Sequence, residues 1–431
     1  MRIGLEVHVA LPLKSKLFCS CSSSAEEPNT AICPICMGFP GSKPMLNERA
    51  LGIAKSIAAA LNCRLNDFIS FVRKVYFYPD LPKSYQITQT GGAVGTGGYV
   101  QTASGRVGIV RVQIEEDPAR IIRGDDYTLL DFNRSGIGLV EIVTEPDMTD
   151  EGGMKEFIIE LKSILYYLGV DIDQEFKVDL NVSTSGDRVE TKNVTGMANI
   201  VNALRYEIKR QGVMASKGQR IGMETRSYDE AGMKTVQSRE KETEEEYGFI
   251  YEPDLGEYDM RKVETETAVY ASRIAHEYAK RYDYSESTLR ELIMFNREAL
   301  ALIDGAKGGH RMQNIVNAVE LLIKYRKTGI NGRDFESMLG LVENGAAVRK
   351  ETIEKIERGE GISGYSAVSE DEVNKEIADI IRSNARLLED YKRDRKVLNF
   401  VIGRVAKKHN ADPRYVSEQL RKVLRDVFKV E

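Results

Sequence analysis

The sequence predicts an α+β protein in which a strand-rich body precedes an all-helical part. Three observations carry this expectation. Up to about residue 264, short runs alternate apolar and polar residues at a period of two, interrupted by a few amphipathic helices. From about Thr265 prolines vanish until Pro413, and apolar residues recur at helical spacing. A chain of 431 residues that is 42% hydrophobic and 29% charged also has the size and composition of two or three soluble domains. No apolar run reaches membrane-spanning length and the N-terminus lacks a basic-then-apolar leader, so no membrane contact and a cytoplasmic location are expected.

The first strand is Ile3-Gly-Leu-Glu-Val-His8. Side chains alternate along a strand, so Glu6 and His8 share a face, as an acid/base pair, as half of a metal site, or as a polar face meeting water. Cys19 and Cys21 form a C-x-C pair, and Cys33 and Cys36 follow eleven residues later as C-x-x-C. Two short-range thiol pairs separated by a loop are what tetrahedral zinc needs, and four thiolates leave no open position, so zinc there would be structural. Buried reduced thiols are the alternative. Asn47 to Leu61 has the periodicity of a core helix that Asn47 can cap.

Phe71 to Gln89 mixes aromatic, basic and amide side chains. Pro79 and Pro82 point to an irregular loop presenting Asp80, Lys83, Tyr85 and Gln86, and Lys74 and Lys83 could neutralise phosphates. Gly91 to Gly98 lacks the G-x-x-x-x-G-K-[ST] pattern, which excludes a P-loop, and reads as a flexible connection or lid. A hairpin turning at Ser104-Gly105 leads into a strand with Val110, Val112 and Ile114 on one face and Arg111, Gln113, Glu115 and Asp117 on the other. In Gly138 to Asp147 the apolar run Leu139–Val143 reads as a buried strand, yet Glu141 sits at its centre. A lone buried carboxylate costs several kcal/mol, so Glu141 requires a proton, a base or a cation. Magnesium or another hard cation clasped by Glu6, His8, Glu115 and Glu141 would satisfy all four.

A helix is expected from Glu156 to Leu168, closed by Gly169. Lys177 to Ser183 then alternates with Asp179, Asn181 and Ser183 on its polar face, and Glu190-Thr-Lys-Asn193 repeats the theme. A helix from Met197 to Gln211 and strands at Met223–Arg226 and Thr235–Arg239 follow. Residues 265–363 form the expected helical domain, with a linker at Gly359 to Gly364. Residues 364–431 form a helical tail, and from Arg382 to Glu431 it carries 14 Lys and Arg against 7 Asp and Glu although the whole chain has net charge -5. A basic appendage on an acidic body suits a polyanionic partner.

Taken in order, GLEVH, KSKLFC-x-C, CP-x-C-x-G, RK-x-YFYPDLPK-x-YQ, the EED triplet, D-F-NRSG, L-V-EIVTEPD, D-x-NVS, KN, ETR and Y-x-PDL resemble the B subunit of the tRNA-dependent glutamyl/aspartyl amidotransferase along the whole chain. The resemblance implies an antiparallel cradle domain over residues 1–264, then the helical domain and a tRNA-contacting tail. It implies a ligase forming a carbon–nitrogen bond with glutamine as amido donor. ATP and Mg2+ serve to phosphorylate the side-chain carboxylate of Glu-tRNA(Gln) or Asp-tRNA(Asn), and ammonia arrives from a partner amidase (A) subunit in a heterotrimer with a small C subunit. Glu6, His8, Glu115 and Glu141 fall on the catalytic, metal-holding positions. Lys74, Tyr76, Tyr78, Asp80, Lys83, Tyr85, Gln86, Asp179 and Asn181 are the candidates for substrate and nucleotide. One departure is Glu115-Glu-Asp-Pro-Ala-Arg120 where the family reads EEDAGK. The rival expectations are a zinc-containing tRNA-binding scaffold with a degenerate nucleotide site, and an ATP-independent protein that only conducts ammonia.

Overall fold

Odd-numbered apolar residues decide the first strand. In β1 (Arg2–Ala10), Ile3, Leu5, Val7 and Val9 are buried on one face, which leaves Glu6 and His8 together on the other. The computed structural model describes residues 1–124, 126–170, 176–240, 248–306, 309–360, 368–384, 386–393 and 395–429. It divides into two compact units, Met1–Tyr270 and Ala271–Glu431.

In the first unit β1 is followed by α1 (Arg49–Ala60), β2 (Arg64–Leu65), β3 (Phe68–Ser70), β4 (Val72–Val75), β5 (Tyr85–Thr88), β6 (Gly95–Thr102) and β7 (Gly105–Glu116). Then come β8 (Arg120–Arg123), β9 (Thr128–Asp131), β10 (Gly138–Thr144), α2 (Glu151–Tyr167), β11 (Lys177–Ser183) and β12 (Val189–Thr195). The unit continues with α3 (Met197–Ser216), β13 (Glu224–Asp229), β14 (Lys234–Glu240), β15 (Gly248–Tyr251) and β16 (Glu257–Asp259). Nine strands form one sheet in the order β14-β13-β12-β11-β1-β10-β7-β6-β2, antiparallel throughout except for the parallel pair β12–β13. One face packs on α1, α2 and α3 through residues such as Val7, Val112, Ile142, Leu180, Ile57, Phe157 and Leu204. Antiparallel sheets covered on one side leave the other free for polar side chains, and the acids are found there. A three-stranded sheet, β15-β4-β5, adjoins it.

Four local expectations need correction. Tyr85 and Gln86 lie on β5, not on a loop: Val72–Val75 and Tyr85–Thr88 pair in register, and only the segment between them, with both prolines, turns. Gly95–Gly98 is part of β6, not a lid. A Cβ on Gly95 would come within 2.9 Å of the Cys63 Cβ, and one on Gly98 within 2.4 Å of the Leu61 carbonyl, so glycine is needed for close approach to the end of α1. Val110 is half-buried because the β7–β10 register slips there, and the core face of β7 is Val107 and Ile109 followed by Val112 and Ile114. Helix α2 begins five residues earlier than expected, where the Asp150 carboxylate accepts from Gly153 N at 2.9 Å and offsets two glycines in the first turn.

The second unit comprises α4 (Ala271–Tyr282), α5 (Glu286–Ile293), α6 (Arg297–Gly305), α7 (Met312–Tyr325), α8 (Gly332–Glu343), α9 (Lys350–Glu357), α10 (Glu370–Arg382), α11 (Arg386–Arg393), α12 (Asn399–His409) and α13 (Pro413–Asp426). Side chains of Ser285, Asn296, Asn331, Ser369 and Asp412 cap five of them. Val373, Ile377, Ile381, Val401, Val405, Val416 and Leu420 close α10, α12 and α13 around a core of their own. The linker expected at Gly359 to Gly364 lies, from residue 361 onward, outside the described residues.

Candidate active site

The polar face of the nine-stranded sheet holds a cavity of about 690 Å3 in the first unit. Its walls carry six carboxylates, from Glu6, Glu115, Asp117, Glu141, Asp179 and Glu190, and five cations, from Lys74, Arg111, Lys177, Arg188 and Lys192. Strand pairing produces this density. His8 stands opposite Glu141 across β1–β10, Glu6 opposite Asp179 across β1–β11, and Asn181 opposite Glu190 across β11–β12.

Around His8 the geometry is that of an imidazole bracketed by two acids. Its Nε2 lies 3.3 Å from Glu115 Oε1 and 3.8 Å from Glu141 Oε1. Gln113 Nε2 donates to Glu141, Arg111 Nη2 reaches within 3.9 Å of the same carboxylate, and Thr88 Oγ1 lies 3.5 Å from Glu115. Burial works against the imidazolium, but Glu115, Glu141, Asp179 and Glu6 outweigh it and hold His8 up at about 9. Burial and then Glu141 push Glu115 up to about 7, against the pull of His8. Crowded carboxylates of this kind favour a nearby positive charge, which here is the imidazolium of His8 and which a hard divalent cation could also supply.

A second group lies beside it. Ligand atoms of Glu6, Asp179 and Glu190 are all within 4.8 Å of one another. The β11–β12 register shifts beside Asp179, where Asn193 takes a left-handed φ of 56°. The extra residue aims Lys192 Nζ at Asp179 Oδ2 (2.8 Å) and Glu190 Oε1 (3.1 Å), and Asn193 N at Asp179 Oδ1 (2.8 Å). Asn181 Nδ2 donates to Glu6 Oε1 at 3.1 Å. Burial acts to raise Asp179, yet Lys192, His8 and the Asn193 N–H hold it below the usual carboxylate range. Glu6 is raised, first by burial and then by Glu141, Glu190 and Asp179.

The sequence-derived candidates therefore divide. Glu6, His8, Glu115, Glu141, Lys74, Gln86 and Asp179 line the cavity, and Asn181 holds Glu6 from the neighbouring strand. Lys83 is buried in an ion pair with Glu116, and Tyr85 lies under the Arg73 guanidinium at 4.8 Å. Tyr76 and Tyr78 meet edge to face at 6.2 Å, with Tyr78 exposed. Asp80 Oδ1 is buried without a hydrogen-bond partner among the described residues. None of these five is among the cavity's lining residues. Glu190, Lys192, Arg111 and Gln113 have larger parts in the site than their sequence pattern suggested. The mismatched register of two alternating polar strands was the signal for Lys192, and it becomes visible only once those strands are paired.

The four cysteines also converge, with their sulfur atoms all within 4.8 Å of one another, and Cys36 Sγ lies 3.9 Å from Cys33 Sγ. A tetrahedron with metal–sulfur bonds of about 2.3 Å sets sulfurs about 3.8 Å apart, so the cluster fits structural zinc. The hydrogen bond from Cys19, helped by the Cys33 N–H and by Lys16, lowers Cys36 to about 4. Burial lifts Cys21 to about 11.

A family model described as the GatB/GatE catalytic domain matches residues 1–267. Over 98% of this chain and 99% of theirs, the sequence is 36% identical to the B subunit of the aspartyl/glutamyl-tRNA(Asn/Gln) amidotransferase of Sulfolobus acidocaldarius and 37% identical to that of Sulfurisphaera tokodaii. The protein of the same name from Persephonella marina is 32% identical over the same shares, 98% and 99%. Among the described residues no helix is long and apolar enough to cross a membrane.

Proposed function

The chain belongs to the GatB/GatE family, and from that premise we propose that it is the carboxylate-activating component of a tRNA-dependent aspartyl/glutamyl amidotransferase acting in the cytoplasm. Its substrate is glutamate esterified to tRNA(Gln) or aspartate esterified to tRNA(Asn). A side-chain carboxylate oxygen attacks the γ-phosphorus of ATP, displacing ADP and leaving an acyl phosphate. Ammonia, released from glutamine by a partner amidase (A) subunit in an assembly that includes a small C subunit, adds to the acyl carbon. It loses a proton and expels phosphate to leave the amide.

The observation that carries this reading is His8 bracketed by Glu115 and Glu141 in the same cavity as the Glu6–Asp179–Glu190 group. Phosphoryl transfer between anions is mainly alignment and charge neutralisation. Lys74, Arg111, Lys177 and Arg188 line the walls where phosphate and carboxylate oxygens must sit, and bind and orient them. Gln113 fixes the Glu141 carboxylate. Magnesium held by His8, Glu115 and Glu141, with Glu6 alongside, would supply the remaining positive charge between the reacting groups. The cysteine cluster would hold zinc as a structural centre. Exposed Arg404, Lys407 and Arg421 on α12 and α13 suit phosphate contacts to tRNA by the tail at residues 364–431.

The test is ATP consumption by the chain assembled with its partners. Turnover is expected only with misacylated tRNA present, and Glu115→Gln and Glu141→Gln should abolish it while tRNA binding persists. Hydrolysis indifferent to the tRNA, or activity untouched by both substitutions, would remove the basis for this assignment.

A further inference from the structure

Lys16 is fully buried, at 0% exposure, which is unusual for an ammonium group. Its Nζ donates to the Phe132 carbonyl at 2.9 Å and lies 3.7 Å from Cys36 Sγ. A neutral carbonyl solvates a cation without balancing it. Glu116, whose carboxylate packs against the same Gly136 as the Lys16 stem, is committed to Lys83 in a buried ion pair. Of the two groups its ammonium contacts, Cys36 Sγ is the one able to carry a compensating charge. The complementary problem exists on the cysteine side, because four thiolates around a divalent metal carry a net charge of about −2 into a half-buried site.

We propose that Lys16 is the internal countercharge of the cysteine cluster, a positioning residue that stabilises its tetrathiolate form around a divalent metal and ties it to the turn at Phe132. The inference rests on the zinc reading of Cys19, Cys21, Cys33 and Cys36. The backbone sets up the arrangement: Lys16 N donates to the Cys21 carbonyl at 2.9 Å and Leu17 N to that of Gly136 at 2.8 Å, so the lysine is anchored on both sides of its side chain. The turn it grips continues to the cavity. Arg134 pairs with Asp117, and Gly136 N donates to the Asp117 carbonyl at 2.9 Å. Asp117 lines the cavity, so the metal centre and the site wall share one short segment.

Charge and packing make opposite demands at this position. Methionine reproduces the lysine stem without its charge, glutamine also keeps a donor for Phe132, and arginine keeps the charge but is larger. The experiment measures zinc content of the full-length chain and zinc transfer to a chromogenic chelator, with the thiolate-to-metal absorption of the cobalt-substituted chain as the spectroscopic readout. Far-UV circular dichroism in excess zinc confirms that each variant is folded. Lys16→Met and Lys16→Gln are expected to hold metal about 10–100-fold more weakly, in line with other residues that support metal ligands from behind, with Lys16→Arg restoring much of the loss. Metal retention by the Met and Gln variants equal to that of the unaltered chain overturns the proposal, as does retention by Met with loss in Arg. An unaltered chain that takes up neither zinc nor cobalt overturns the zinc reading beneath it, and the proposal with it.

Discussion

His8 and Glu141 face one another across the β1–β10 ladder, with His8 Nε2 3.8 Å from Glu141 Oε1 and 3.3 Å from Glu115 Oε1 on the strand beyond. Carboxylates from two neighbouring strands thus bracket the imidazole at one point of the cavity wall. If that point is where magnesium meets the reacting phosphate, His8→Ala should raise the magnesium concentration for half-maximal tRNA-dependent ATP consumption by roughly 10–100-fold. A magnesium titration of initial rates checks it. An unchanged requirement would mean that the imidazole serves the sheet and not the cation.

Lys192 performs for Glu6, Asp179 and Glu190 what a bound cation would do. Removing it leaves three carboxylates with atoms within 4.8 Å of one another and no ammonium between Asp179 and Glu190. Lys192→Met should cost about 1–3 kcal/mol, less than a fully buried pair because the ammonium is partly exposed. The variant's melting temperature should respond to added Mg2+ or Ca2+ more strongly than that of the unaltered chain, since a divalent ion can replace the lost charge. Equal responses from the two chains would contradict this.

The parts of this site that could be read from sequence were those with a physical contradiction in them. Glu141 stands out because a carboxylate inside Leu139–Val143 needs a partner wherever the strand is placed. The cysteines stand out because two close thiol pairs have few other uses. Glu190 and Lys192 carry no such mark, since a polar residue on the wet face of an alternating strand is ordinary, and their role depends on the bulge opposite Asp179. The strand placement of Tyr85 and Gln86 is hidden for a related reason: two prolines mark a turn but do not show how soon the chain resumes pairing, and here β5 returns to β4 within ten residues of Val75.

The glycines of β6 offer a test of close packing. A methyl on Gly98 would meet the Leu61 carbonyl at 2.4 Å and Cys63 Sγ at 2.5 Å, whereas one on Gly97 meets nothing within 4 Å and only strains a φ of 66°. Gly98→Ala should therefore cost about 3 kcal/mol or more, and Gly97→Ala about 1–2 kcal/mol. At about 2–4 °C per kcal/mol for a domain of this size, thermal denaturation separates the two. Equal shifts would show that α1 yields to make room for the methyl group.

In the second unit His310 joins two turns of α8. Its Nε2 lies 2.9 Å from Glu336 Oε2 and its Nδ1 2.8 Å from Glu343 Oε1, while Asn314 Nδ2 donates to the same Glu343 at 3.3 Å. Both nitrogens meet carboxylates, so the ring is best satisfied when both carry protons. Hydrogen bonds to Glu336 and then Glu343 raise its pKa above the ordinary histidine value, against a smaller effect of burial. A group whose folded pKa is raised contributes stability that is fully present below the unfolded value, about 6.5, and is lost as pH rises through the folded one. His310→Gln should therefore destabilise the second unit most near pH 6, and the gap from the unaltered chain should narrow steadily as the pH approaches 9. Urea denaturation of both chains across that range, followed through the helical signal, measures the gap. A difference that stays constant or widens with pH would mean that His310 acts as a neutral packing element, with one of its two carboxylates held by other groups.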